Sequence, residues 1–140
     1  MMKNLLAVIL ILNVLACQAD IYIVTHKDNP VESLLEQEVR DLYLARSKAW
    51  PNGEFVRVFD CKSPQLREKF FQNLTGMSLR QLDAYWARLV FAGRVLPLES
   101  IENEQALLGI AEETIDVLGY IDKPPVNNQL KVLYVINTSE

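Results

Sequence analysis

The sequence is poor in the residues that most catalytic and metal sites use. It contains one histidine, His26, and two cysteines, Cys17 and Cys61, among 140 residues. One histidine and so few thiols cannot complete a closed zinc shell, and the acidic residues lack the spacing of an EF-hand loop. If Cys17 leaves with an N-terminal leader, Cys61 has no intramolecular partner. We therefore expect no metal, no cofactor and no disulfide, and a fold that depends on its core.

Positive charge is also in the minority. The chain has 14 lysines and arginines against 18 aspartates and glutamates, which gives a net charge of −4. This balance argues against nucleic acid and against an anionic membrane surface as partners. We find no internal repeat, low-complexity tract or linker, and residues 20–140 suffice for one domain. A single domain is therefore predicted.

A long apolar run occurs only near the N-terminus. Leu5–Ala16 is almost continuously apolar, follows a single lysine and is followed by small residues. This layout is typical of a secretory signal peptide over residues 1–19, and the run is too short for a comfortable membrane span. Cleavage after Ala19 would release a soluble periplasmic or secreted protein. A lipobox-like sequence ending at Cys17 leaves a lipid-anchored form open, although strand residues from Ile21 onward would leave almost no tether.

Hydrophobic spacing and capping residues divide the remaining chain into eight elements. The predicted strands are residues 20–25, 55–59, 115–122 and 130–136, and the predicted helices are 33–45, 64–75, 79–92 and 104–113. The first helix is expected to begin with a capping box at Ser33. The order indicates an α/β sandwich with helices on both faces of a small sheet. The first strand–helix–strand unit is expected to be a right-handed parallel crossover, and an antiparallel or edge pairing stays open for the last two strands.

The turn between the second strand and the second helix is the first place to look for a ligand. Ser63 is a good N-cap, and Pro64 suits the first helical position. Anions often bind at such a helix start, because its free N–H groups and the helix dipole favour negative charge. Alternatively, Ser63 only caps its helix and the nearby cations are solvated, while Asp60 would repel an anion unless it points away. The candidate ligand-binding residues are Lys62, Ser63, Gln65 and Arg67.

A catalytic hypothesis rests on His26 and Cys61. Each follows one of the first two predicted strands, so parallel neighbouring strands would place both at the same edge of the sheet. A cysteine–histidine nucleophile pair is then conceivable. The sequence supplies no orienting third group and no oxyanion hole, and an exported free thiol is prone to oxidation. We therefore expect no enzymatic activity.

Three segments of the chain carry a resemblance to a known family. They are Val24 with Asn29-Pro30-Val31 and Leu34; Val39–Ala45 with Trp50-Pro51-Asn52-Gly53; and Ser63-Pro64 with Leu66-Arg67-Glu68 and Phe70. The first resembles the opening strand and NPV-x-x-L turn of phosphate ABC transporter substrate-binding proteins. The second is similar to their following helix and W-x-x-G turn. The third stands where larger members have the Ser-Gly-Thr helix start that holds phosphate. The likeness covers nearly all of residues 21–135.

The resemblance implies a three-layer α/β/α domain that corresponds to one lobe of a type 2 periplasmic binding protein, with about four helices and a mainly parallel sheet. It also implies a non-enzymatic transport protein that binds phosphate or another small anion where Ser63 stands. Pro64 and Gln65 replace the family's Gly-Thr. The alternative is a structural or protein-interaction module that kept the fold and lost the ligand. Such a module would bind a protein partner, or a second copy, through the face where a second lobe packs.

Overall fold

The computed structural model of the protein describes residues 20–138, so the predicted signal peptide at residues 1–19 lies outside the described residues. The strands are β1 (Ile21–His26), β2 (Arg57–Cys61), β3 (Glu99–Ile101), β4 (Val117–Ile121) and β5 (Leu130–Ile136). The helices are α1 (Glu36–Tyr43), α2 (Pro64–Thr75), α3 (Leu79–Phe91) and α4 (Glu104–Ala111). None of the helices between residues 20 and 138 is long and apolar enough to cross a membrane.

The five strands form one sheet in the order β3-β2-β4-β1-β5. β2 pairs in parallel with β3 and β4, whereas β1 pairs antiparallel with β4 and β5. β2, β3, β4 and β5 therefore run in one direction and β1 opposes them. This confirms the prediction of a mainly parallel sheet, and the antiparallel edge pairing that was left open occurs between β5 and β1.

The predicted parallel crossover from β1 through α1 to β2 is wrong. β4 lies between these strands, and β1 runs opposite to both of them. The prediction failed because a central strand that is buried on both faces has a continuous apolar sequence in either orientation, so the sequence does not reveal its direction. The consequence for function is that His26 and Cys61 lie at opposite edges of the sheet, so the catalytic pairing loses its geometric basis.

Helices cover both faces of the sheet, which confirms the predicted three-layer arrangement. Alternate side chains of β4 point to opposite faces, as expected for a strand. Leu118 and Tyr120 join the large core cluster beneath α1, α2 and α3, whereas Val117 and Ile121 join a smaller cluster beneath α4. Helix α4 lies very close to β4 at Gly119, where an added Cβ atom would be 2.9 Å from a side-chain carbon of Leu107.

Local capping signals placed α2 and α3 correctly. Ser63 caps α2, which ends at Gly76 in the left-handed conformation with φ 75°. Ser78 caps α3, and the side chain of Gln81 completes a capping box. Asn103 caps α4 in the same way, with its Oδ1 accepting from the N–H of Ala106 at 3.0 Å. These three starts are where the sequence predicted them.

Several element bounds differ from the prediction. β2 spans Arg57–Cys61 rather than residues 55–59, and β4 spans Val117–Ile121 rather than residues 115–122. Helix α1 begins at Glu36 rather than Ser33, because Leu34 is buried and its N–H donates to the carbonyl of Leu133 at 3.0 Å. That contact with β5 holds the chain extended before the helix. β3 lies in a segment predicted as a loop, and its three residues are too few to show an alternating pattern.

Two of the resembling segments meet at Asp116, just before β4. Its Oδ1 accepts hydrogen bonds from Trp50 Nε1 at 2.9 Å and from Asn29 Nδ2 at 3.3 Å. Asn29 also donates to the carbonyl of Ile115 at 2.8 Å, and both Asn29 and Trp50 are almost fully buried. Asn29 and Trp50 therefore link the turn after β1 and the turn before β2 to the segment that leads into β4.

Candidate functional site

A crevice of about 290 Å³ lies at the sheet edge where β2, β3 and β4 end. The first residues of α2 and α4 border it, so the N-termini of two helices meet there. Ser63 lines the crevice from the α2 side, and Asn103 lines it from the α4 side. In α/β proteins this is the edge at which ligands bind, because helix N-termini present free N–H groups and a partial positive charge there.

The first turn of α2 uses part of its own binding capacity. The hydroxyl oxygen of Ser63 accepts from the N–H of Leu66 at 3.4 Å, and the carbonyl of Ser63 accepts from the N–H of Arg67 at 3.0 Å. Pro64 has no N–H. Within residues 20–138, the N–H of Gln65 is therefore the one N–H in the first turn of α2 that has no acceptor. The N–H of Leu66 is thus already engaged by the cap.

The four predicted ligand residues do not converge on the crevice. Ser63 lines it, whereas Lys62, Gln65 and Arg67 do not. Lys62 Nζ lies 3.7 Å from Glu102 Oε1, with both side chains largely in solvent. Arg67 Nε donates to Asp60 Oδ2 at 2.7 Å. Both cations thus face carboxylates of the same chain.

Asp60 forms a buried polar network below the start of α2. Its carboxylate accepts from the N–H of Cys61 at 2.8 Å, from the hydroxyl of Tyr120 at 2.5 Å and from Arg67 Nε. The Tyr120 ring stacks on Phe70 with the ring centroids 3.7 Å apart. Burial, followed by the charge of Asp60, raises the pKa of Tyr120 far above its ordinary value. Asp60 therefore points into the core, and Arg67 compensates its charge there.

The side chains that line the crevice are acidic on balance. Glu102, Glu104 and Asp122 contribute carboxylates, and Lys123 contributes one ammonium group. Glu104 is partly engaged, since its Oε1 accepts from the N–H of Val126 at 3.2 Å. An anion here would rely on Lys123, the Ser63 hydroxyl and helix N–H groups, against repulsion from the carboxylates.

Cys61 lines the crevice but is a poor nucleophile. Its side chain is buried, and its sulfur accepts from the N–H of Ser63 at 3.3 Å. Burial raises the pKa of the thiol and outweighs that hydrogen bond, which lowers it. The thiol is therefore protonated near neutral pH, and His26 lies at the other edge of the sheet. Within residues 20–138, no group of three histidine, cysteine or acidic side chains is placed to hold a metal.

The sequence missed two residues that shape this region. Asp60 was considered only as a source of repulsion, and Tyr120 was not assigned a role. They are 60 positions apart, so no local pattern could pair them. One signal was available for Asp60. It directly follows a predicted strand, seven positions before Arg67 in the first turns of the next helix, and this spacing allows the two side chains to form an ion pair.

Neither a protein-family model nor a curated protein sequence matches the chain. Several solved structures are similar in fold, among them the following two. One is a candidate phosphate ABC transporter substrate-binding protein with bound phosphate from Clostridium perfringens, at TM-score 0.61 and 16% identity over 82% of this chain and 45% of that one. The other is an ABC-type phosphate transport receptor from Vibrio cholerae, at TM-score 0.61 and 16% identity over 83% of this chain and 46% of that one.

The described domain therefore has the fold of one lobe of a phosphate-type periplasmic binding protein, as the sequence resemblance implied. The chain spans less than half the length of these two proteins. At 16% identity the likeness establishes the fold.

Proposed function

We propose that the protein is an exported, non-enzymatic binding module that takes a small anion, phosphate first, in the crevice between the starts of α2 and α4. One observation carries the proposal: the crevice lies where two helix N-termini meet, in a fold shared with a protein that has phosphate bound. The signal-peptide pattern at residues 1–19 supports export. The protonated, buried thiol of Cys61 supports a function without catalysis.

The groups that border the crevice favour weak rather than tight binding. Favourable contacts come from the Ser63 hydroxyl and the ammonium of Lys123, and each helix N-terminus contributes about 0.3–1 kcal/mol. Glu102 and Asp122 act in the opposite direction by repulsion. A net binding free energy of about 4 kcal/mol corresponds to a dissociation constant near 1 mM. Calorimetry must therefore extend well into the millimolar range.

The test is calorimetric titration of residues 20–140 with phosphate, compared with Ser63→Ala and Ser78→Ala. Both serines cap a helix through the same type of bond, at 3.4 Å and 3.2 Å, and each substitution costs about 1 kcal/mol of stability. Only Ser63 lines the crevice. We expect saturable heat in the parent protein, a several-fold weaker affinity for Ser63→Ala and an unchanged affinity for Ser78→Ala. A folded protein that gives no saturable heat would remove the anion-binding proposal.

A second candidate is an interaction module that has kept the lobe's fold without its ligand. The buried pairing of Arg67 with Asp60 favours it, because this predicted cation is not available to a ligand. In this case a protein partner or a second copy would bind through the face where a second lobe packs. Absence of phosphate binding together with concentration-dependent dimerisation would support this candidate.

A further inference from the structure

A separate exposed surface lies at the other end of β2 and β3. We define the α3-loop surface as residues 84–98, which form the end of α3 and the loop to β3, together with Phe55. Its apolar side chains are unusually exposed: Phe91 by 91%, Leu96 by 86% and Phe55 by 63%. It adjoins the first residues of β2 and β3, whereas the crevice adjoins their last residues. The four steps from Arg57 to Cys61 separate the two sites by about 13 Å.

The α3-loop surface has depressions beside its projecting side chains. One depression of about 380 Å³ is bordered by Tyr85, Arg88 and Arg94. A second, of about 470 Å³, is lined mainly by aliphatic side chains and has Phe55 and Leu96 at its border. Projecting side chains next to depressions suit a partner surface of complementary shape, as found in the packed centre of protein interfaces.

The charge of this surface is opposite to that of the whole chain. Residues 84–98 contain no aspartate, glutamate or lysine, although the chain carries a net charge of −4. Their two charged residues are Arg88 and Arg94, and within residues 20–138 neither guanidinium has a hydrogen bond or ion pair. Lys48, in the second depression, is likewise without a carboxylate partner in the described chain. Glu99 also lines the second depression but is paired with Arg57, so the unpaired charges of this surface are positive. Exposed aromatic and arginine side chains are enriched at protein interfaces.

We propose that the α3-loop surface docks a partner protein that presents apolar side chains flanked by carboxylates. Phe91 and Leu96 are the apolar anchors, and Arg88 and Arg94 meet the partner's acidic groups. A symmetric second copy fits poorly, because it would bring Arg88 and Arg94 of two copies together, while the nearby Glu99 is already paired with Arg57. An anionic membrane fits poorly as well, because it would repel the net negative chain.

The probe is a random twelve-residue peptide library displayed on phage and selected on the protein expressed from the full 140-residue chain and purified. We expect enriched peptides with an aromatic residue or leucine next to aspartate or glutamate. A synthetic copy of such a peptide should bind at least tenfold more weakly to Phe91→Ser and to the Arg88→Gln/Arg94→Gln double variant. Selection of no peptides, or of peptides without acidic residues, would overturn the proposal.

Matched substitutions keep this test specific. Val126→Ser removes a side chain that is 90% exposed in another loop, and Arg80→Gln removes an exposed charge at the opposite end of α3. Both should bind the peptide like the parent, and equal losses in these controls would contradict the assigned surface. Dimerisation that disappears in Phe91→Ser, or sedimentation with anionic phosphatidylglycerol vesicles, would replace the proposed partner by a second copy or a membrane.

Discussion

Replacing Asp60 with asparagine should destabilise the protein by about 3 kcal/mol. The substitution keeps the shape of a side chain that is 7% exposed, and one oxygen can still accept from Tyr120 or from the N–H of Cys61. The other oxygen becomes an amide NH₂ that faces Arg67 Nε, which now lies 2.7 Å from Asp60 Oδ2. Two donors would then oppose each other, and the guanidinium would lose its charge partner.

The magnitude follows from the burial of the two partners. Breaking a buried ion pair by removing one member costs about 3–5 kcal/mol. The Arg67 side chain is 25% exposed, so water recovers part of its solvation and the lower end of that range applies. Asp83 provides the control: it lies 3.8 Å from the same guanidinium but is 72% exposed. Asp83→Asn should cost less than about 1 kcal/mol.

Urea unfolding at pH 7, followed by tryptophan fluorescence and circular dichroism, measures both changes. A 3 kcal/mol loss is a large share of the roughly 5–15 kcal/mol expected for the domain, so the midpoint should fall clearly at an unchanged slope. Adding Arg67→Met to Asp60→Asn should recover part of the loss, because it removes the unpaired charge. If Asp60→Asn costs no more than Asp83→Asn, the buried pair does not stabilise the turn and the reasoning is refuted.

Three further predictions follow from burial and packing. Gly119→Ala should destabilise the protein by about 1–3 kcal/mol, because the added methyl group would press on the side chain of Leu107 in α4. Gly109→Ala lies on α4 where an added methyl group has open space, and it should stabilise the protein by about 0.5–1 kcal/mol in the same unfolding assay. Burial raises the pKa of Tyr43 and Tyr120, so both keep their protons in the folded protein above pH 10.0, the ordinary tyrosine pKa. Their contribution to the free energy of unfolding should therefore be full below pH 10.0 and fall above it by up to about 1.4 kcal/mol per pH unit for each tyrosine. Urea unfolding at pH 8 to 11 measures this loss. Cys61 should react with iodoacetamide at pH 7.5 at least about tenfold more slowly in the native protein than in urea, because its thiol is buried and its pKa is raised.

Local chemistry explains which parts of the fold the sequence predicted. The starts of α2, α3 and α4 are fixed by a side-chain oxygen three residues from the N–H it accepts, so Ser63, Ser78 and Asn103 reveal them. The start of α1 depends on the bond from Leu34 to Leu133, 99 positions away, and no local pattern contains it.

Strand order and the site depend on the same kind of distant contact. The apolar run of β1 predicted burial on both faces and left its direction open, so the order β3-β2-β4-β1-β5 had to come from the structure. In the site, the helix start at Ser63 was predictable. The pairing of Arg67 with Asp60 and the approach of Lys62 to Glu102 were not predictable, because the sequence shows which residues are charged but not which of them lie close together.

The crevice and the α3-loop surface have separate tests. Phosphate binding depends on the crevice at the ends of β2, β3 and β4, whereas peptide binding depends on Phe91 and the arginines of the α3-loop surface. Ser63→Ala should leave peptide binding unchanged, and Phe91→Ser should leave phosphate binding unchanged. Failure of one proposal would therefore leave the other standing.

The most direct measurement is amide chemical-shift mapping of the isotope-labelled protein during titration with phosphate at constant ionic strength, with sulfate and chloride compared in parallel. We expect saturable shifts at the N–H groups of Ser63, Glu104 and Lys123, which line the crevice, and none at Arg88 or Phe91. Shifts that do not saturate by about 10 mM, or that spread evenly over basic surface residues, would contradict a specific anion site.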